Sequence, residues 1–245
     1  MATATITTTD SDVVASAGPV LGLLRLLQFG DSVLPVGAFS FSAGLESAVQ
    51  QGMVRDADGL RQYVLSAVRQ AATGDGVALL HAHRAARDGD LDAVVAADRA
   101  VFARKLNEEI RTMTCRMGRK LAELTAHVRP GGPVADWLAA IRGGTTPGTY
   151  PVGQALAFAG LGLDERDAFA AHQYGVASML VGAALRLVRM SYLDAQSVLY
   201  ESGATAEADY AAAAETPLDD MHTFAPATEV LAGIHLRSTV RLFMS

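Results

Sequence analysis

The sequence is short of cysteine and lysine, and each shortage excludes something. Its 245 residues include one cysteine, Cys115. A lone thiol makes no disulfide within the chain and builds no cysteine-rich zinc site, which fits a reducing cytoplasm. Lysine occurs only at Lys105 and Lys120, so nearly all the positive charge is arginine. Arginine keeps its charge and offers a planar fork of donors, which suits protein interfaces. Lys plus Arg is 20 against 26 for Asp plus Glu, giving a net charge of −6. A phosphate backbone repels such a chain, so no nucleic-acid partner is expected. No Gly-Lys dipeptide is present, which removes the phosphate-cradling P-loop; neither a G-x-S-x-G elbow nor an H-E-x-x-H zinc helix occurs. The run Asp88-Gly89-Asp90-Leu91-Asp92 imitates the start of a calcium loop. However, Ala93 and Arg99 stand where such a loop needs a glycine and a bidentate glutamate, so a solvated turn and helix start is expected.

Membrane signals are equally weak. Met1 to Gly18 is rich in Thr, Ala and Ser and has no Lys or Arg. It lacks the positive start and apolar core of a secretory signal and reads as a flexible tail. Ala168 to Leu185 carries no formal charge, but about eighteen residues is the lower edge for a membrane span. His172, Gln173 and Ser178 dilute it, and Arg186 and Arg189 follow. A buried helix, with no membrane span, is the expectation.

Helical periodicity is what the chain has in abundance. Ile110, Met113, Met117, Leu121 and Leu124 recur at spacings of three and four, a single apolar stripe, with Asn107 placed as N-cap. Similar patterns run over 45–51, 57–72, 77–87, 91–106, 151–161, 165–189, 192–200 and 206–215, and strand alternation is absent. Arg129 to Pro133 breaks the pattern, as does Gly143 to Gly148. The expected architecture is all-α: a single-domain helical bundle of about nine or ten helices over 19–245, with a partner-docking tail from about 235.

No catalytic constellation assembles, so the chain does not read as an enzyme. His81 and His83 point to opposite sides of a helix, one solvent-facing and one half-buried. His172 reads as a core histidine with a backbone partner, and Met113 and Met117 as core filler. A helical cofactor- or metal-binding protein using His81, His127 or His172 is the alternative class.

The most distinctive segment is Leu34-Pro35-Val36-Gly37-Ala38-Phe39-Ser40-Phe41-Ser42-Ala43-Gly44-Leu45-Glu46. Pro35 and Gly37 force a bend, and Ser42 is placed to cap a helix containing Gly44 and Glu46. This run resembles the L-P-x-G-x-[FY]-x-x-S-x-G-L-E segment of the UreF family of urease accessory proteins. Three further stretches agree in order: Asn107 to Arg111 continuing to Met117-Gly118-Arg119, Tyr150-Pro151-Val152-Gly153 through Gly162, and His235 followed by Arg241-Leu242-Phe243-Met244-Ser245. Leu236 departs from the family's acidic residue, and Phe39 lacks a hydroxyl often found there.

The resemblance implies an all-α homodimer that is not itself an enzyme and carries no cofactor. It would bridge a UreD/UreH-type accessory protein and the GTPase UreG while nickel is delivered to apo-urease. Partner contacts are expected at Pro35, Gly37, Phe39, Phe41 and Glu46 in the loop, and at His235, Arg241, Leu242 and Phe243 in the tail. Arg241 is expected to pin the tail so that Phe243 enters a groove.

Overall fold

The computed structural model describes residues 18–31, 33–38, 41–235 and 242–243, with His235 described by its backbone alone. The expected tail up to residue 17 and the departures at Phe39 and Leu236 lie outside the described residues.

Every regular element among the described residues is helical. Twelve α-helices follow in order: α1 (Pro19–Gly30), α2 (Leu45–Gln50), α3 (Ala57–Ala71), α4 (Val77–Asp88), α5 (Leu91–Arg104) and α6 (Glu108–Val128) come first. Then come α7 (Gly132–Arg142), α8 (Tyr150–Gly160), α9 (Glu165–Leu187), α10 (Tyr192–Ser202), α11 (Ala206–Glu215) and α12 (Pro226–His235). A π turn at Ala72–Gly76 joins α3 to α4 without a break, and a 3-10 turn occupies Leu218–Asp220. The expectation of nine or ten helices missed α1, α7 and α12. Each of these begins at a proline or within a residue of one. Proline has no N–H to give up in a helix's first turn, so the same residue that stops one helix opens another.

Several helix starts follow from their side chains. The Asn107 carboxamide accepts from the amides of Glu109 and Ile110, at 2.8 and 3.3 Å, and Glu108 and Glu109 favour the positive end of α6. Asp90, from the run that imitates a calcium loop, caps α5 by accepting from the Ala93 amide. Ser191 and Asp194 form a reciprocal capping box at α10. Ser42 does not cap α2; the cap position is Gly44, in the left-handed region at φ +80°.

Two apolar clusters make the core. Leu79 and Leu80 of α4, Leu121 of α6, Trp137 of α7 and Leu156 and Phe158 of α8 lead the first. Leu45, Leu60, Val64, Leu180, Val198 and Leu231 lead the second. Burying each such side chain contributes on the order of 1.5–3 kcal/mol. Helix α9 serves both, with Phe169 in the first and Leu180 and Val181 in the second. It is long and apolar enough to cross a membrane by length and composition, but 56% of its most apolar window is buried in this protein. Met113 and Met117 are core residues, as their spacing indicates.

Two polar devices fix the packing. Asp98 of α5 is fully buried and accepts from Trp137 Nε1, Thr146 Oγ1, the Gly148 amide and both the amide and hydroxyl of Thr149. That carboxylate anchors the Gly143–Gly148 loop. Arg84 of α4 grips Glu165 of α9 in a two-pronged ion pair at 2.6 and 3.0 Å, and Tyr210 of α11 donates to the same carboxylate.

Candidate functional site

The described part of the loop before α2 bends at two positive-φ positions. Gly37 adopts φ +99°, and Ala43 a positive φ of 47°. Tyr63 of α3 donates its hydroxyl to the Ala43 carbonyl at 2.6 Å, fixing that strained turn. Burial raises the Tyr63 phenol well above its ordinary pKa, so it stays a donor. A Cβ at Gly44 would lie 3.1 Å from the Tyr63 hydroxyl and 3.3 Å from the Thr228 carbonyl, so α2 enters between α3 and α12 only because that position is glycine.

Glu46 lies one residue into α2 and is buried. Its carboxylate accepts the amides of Leu242 and Phe243 at 2.8 and 3.0 Å, nearly two hundred residues later in the chain. Charge-assisted bonds of this kind are about twice as strong as neutral ones. The Phe243 ring is buried in the second cluster, and the Arg186 guanidinium of α9 lies 4.2 Å from its centroid. Leu242 stays 70% exposed. The loop and tail segments inferred separately from sequence thus meet at Glu46, through the amides of Leu242 and Phe243.

Other expected contacts are distributed unevenly. Pro35 is exposed. Phe41 is buried, so it forms a wall and not an exposed anchor. Phe39, Arg241 and the His235 side chain lie outside the described residues; the backbone of His235 ends α12. Arg186 carried no signal in the sequence beyond ending an uncharged run. Its role depends on a contact with the tail that no local pattern encodes.

Behind Phe41 lies an apolar cavity of about 310 Å³, walled by Val36, Met113, Met117 and Met179. Its polar end holds His172 and an ion pair between Lys105 and Asp75, the latter carried on the π turn, at 2.7 Å. His172 Nδ1 donates to Gln154 Oε1 at 3.0 Å; its partner is therefore a side chain and not the expected backbone group. Burial holds its pKa below the usual histidine value, so Nε2 faces the cavity as a bare acceptor, 4.0 Å from Asp75. Tyr150 beside it is pushed up to about 12 by burial. Burial likewise pushes the Cys115 thiol up to about 11, which keeps it protonated and unreactive at neutral pH.

The histidines do not converge. His81 is half-buried, with Nε2 donating to the Thr216 carbonyl, while His83 is fully buried and donates to the Leu163 carbonyl. Both are deeper than their spacing suggested, because α4 is enclosed on nearly all sides. His127 is exposed on α6. Among the described residues no three His, Cys, Asp or Glu side chains are grouped closely enough to hold a metal ion.

Comparison with known proteins gives a consistent family. The UreF family model matches residues 54–203. A Brucella canis protein named urease accessory protein UreF 2 is 53% identical over 245 residues, all of this chain and 99% of that protein. The Brucella melitensis protein named UreF 1 is also 53% identical over 245 residues, covering the whole of both chains. A Yersinia enterocolitica protein named urease accessory protein UreF is 47% identical over 221 residues, 90% of this chain and 97% of its own length.

Proposed function

This chain belongs to the UreF family of urease accessory proteins, and on that premise we propose that it is a nickel-insertion chaperone. It is an accessory protein to urease, not the enzyme. In this reading it bridges a UreD/UreH-type accessory protein and the UreG-type GTPase during GTP-dependent assembly of the nickel site of apo-urease. Nickel is the cargo, and GTP hydrolysis belongs to the partner. This chain's part is to hold the partners in register.

The observation that supports this most directly is the joint at Glu46. A buried carboxylate there gathers the tail's backbone, and the Phe243 ring is clamped under Arg186. Leu242 and Phe243 are thereby held in place, so a partner need not supply the ordering entropy of that pair. Leu242 is left outward as an apolar contact, and α1 adds an exposed row of Val20, Leu24 and Leu27. Arg241 would contribute the charge that recruits the GTPase. Arg241→Ala is expected to weaken that recruitment in a pull-down without loss of helicity, and unchanged capture would remove the assignment.

A homodimer belongs to the same reading. Gly175 and Gly182 lie mid-helix in α9 along the wall of the cavity behind Phe41, and a Cβ at either would meet nothing within 4 Å among the described residues. Each costs about 1 kcal/mol relative to alanine, and no described neighbour requires it. A second copy packing closely along α9, between the exposed Tyr174 and Leu185, would use that space. Gly182→Leu is then expected to halve the mass measured by light scattering.

The decisive experiment deletes this reading frame alone and measures nickel-dependent urease activity, with urease protein quantified beside it. Lost activity at normal protein level, restored by re-expression, is the expected result. Unchanged activity would refute the maturation role.

A further inference from the structure

A cleft of about 540 Å³ separates α3 from the segment 222–231. Helix α3 lines it with Gln62, Ser66, Arg69 and Gln70, continued by Thr73 on the π turn, at spacings of three and four that form one face. From Gly59 to Thr73 that face is about 21 Å long, at ~1.5 Å per residue. About six residues of extended chain, at ~3.4 Å each, span the same length.

One end of the cleft is tied: the His222 amide donates to the Thr73 carbonyl at 3.1 Å. Tyr63 and Thr228 line the other end. Between these ends the opposite wall is non-helical at 223–225 and passes into the first turn of α12 at Pro226. The amides of Phe224 and Ala225 donate no hydrogen bond among the described residues. Phe224 is 85% exposed and Met53 58% exposed, both on the rim.

Charge selects the occupant. On a chain of net charge −6, no Asp or Glu lines the cleft among the described residues. The one permanent charge is Arg69, which is exposed and whose guanidinium makes no hydrogen bond or ion pair there. We propose that this cleft binds an extended acidic peptide segment of a partner protein. A carboxylate of the segment pairs with the Arg69 guanidinium. Its backbone accepts from the Phe224 and Ala225 amides and from the carboxamides of Gln62 and Gln70. An apolar side chain of the segment covers Phe224 and Met53. This inference does not depend on the urease reading, because it concerns the chemistry of the segment and not the name of the protein that carries it.

The test uses the full chain and a displayed library of random linear peptides of about ten residues, long enough to cross the cleft. Wild type should enrich peptides with a recurrent Asp or Glu. Arg69→Glu should lose them by about tenfold or more in fluorescence-polarisation affinity and shift the enriched set to Lys or Arg at that position. Arg69→Gln, which keeps a donor without charge, should fall between, and unchanged circular-dichroism melts should show that both variants fold. Hydrogen exchange should slow at the amides of residues 224 and 225 when an enriched peptide is added. No enrichment, enrichment of basic peptides by the wild type, or binding indifferent to residue 69 would each overturn the proposal.

Discussion

Asp98 shows how much one side chain decides. Its carboxylate satisfies five donors drawn from α7, the Gly143–Gly148 loop and the start of α8. Asn at this position would turn an NH₂ group toward backbone amides and strand at least one buried donor. Asp98→Asn is expected to cost about 2–4 kcal/mol, read as a fall in melting temperature followed by Trp137 fluorescence. Nothing local announced this residue, since an aspartate between Ala97 and Arg99 looks like any helix surface position. Its partners lie some forty to fifty residues away, and burial by distant partners leaves no mark on periodicity. Asn107, by contrast, was legible because a cap acts on the amides directly after it.

Between elements, close approach and ion pairing set the arrangement. A Cβ at Gly118 of α6 would overlap the Gly148 carbonyl at the entrance to α8. Gly118→Ala is therefore expected to destabilise by about 1–3 kcal/mol, despite alanine's better helix propensity, and chemical denaturation measures it. The clamp of α4, α9 and α11 answers to pH. Hydrogen bonding from Arg84 holds the Glu165 carboxyl below its ordinary pKa, while Arg84 itself is raised by the same bond. A carboxyl with a depressed folded pKa adds stability above its unfolded value and loses it as pH falls through the folded one. Glu165→Gln should thus lower the melting temperature at neutral pH, and its deficit should shrink as the pH falls below the ordinary glutamate range and through the folded pKa. Nine helices were legible in the sequence as apolar recurrence. The other three were hidden by prolines that read as stops.

At the scale of the whole molecule, the sequence located both halves of the candidate site but not their union. Glu46 and Phe243 each stood out by motif, whereas their pairing depends on the path of every helix between them. Phe243→Ala should empty a pocket in the second cluster and release the tail. The expected signs are a loss of about 3–4 kcal/mol and faster proteolysis after α12, with helical content retained. The π turn at Ala72–Gly76 has a different kind of consequence. The segment 57–88 is one unbroken rod whose extra residue acts as a phase shifter. Because each α-helical residue turns about 100°, deleting one there would rotate all of α4 by that angle relative to α3. Leu79 and Leu80 would leave their places in the first cluster, His83 would lose the Leu163 carbonyl, and the Arg84 grip on Glu165 would be lost. The rod is therefore tolerant of what its residues are at many places, and intolerant of how many there are at one.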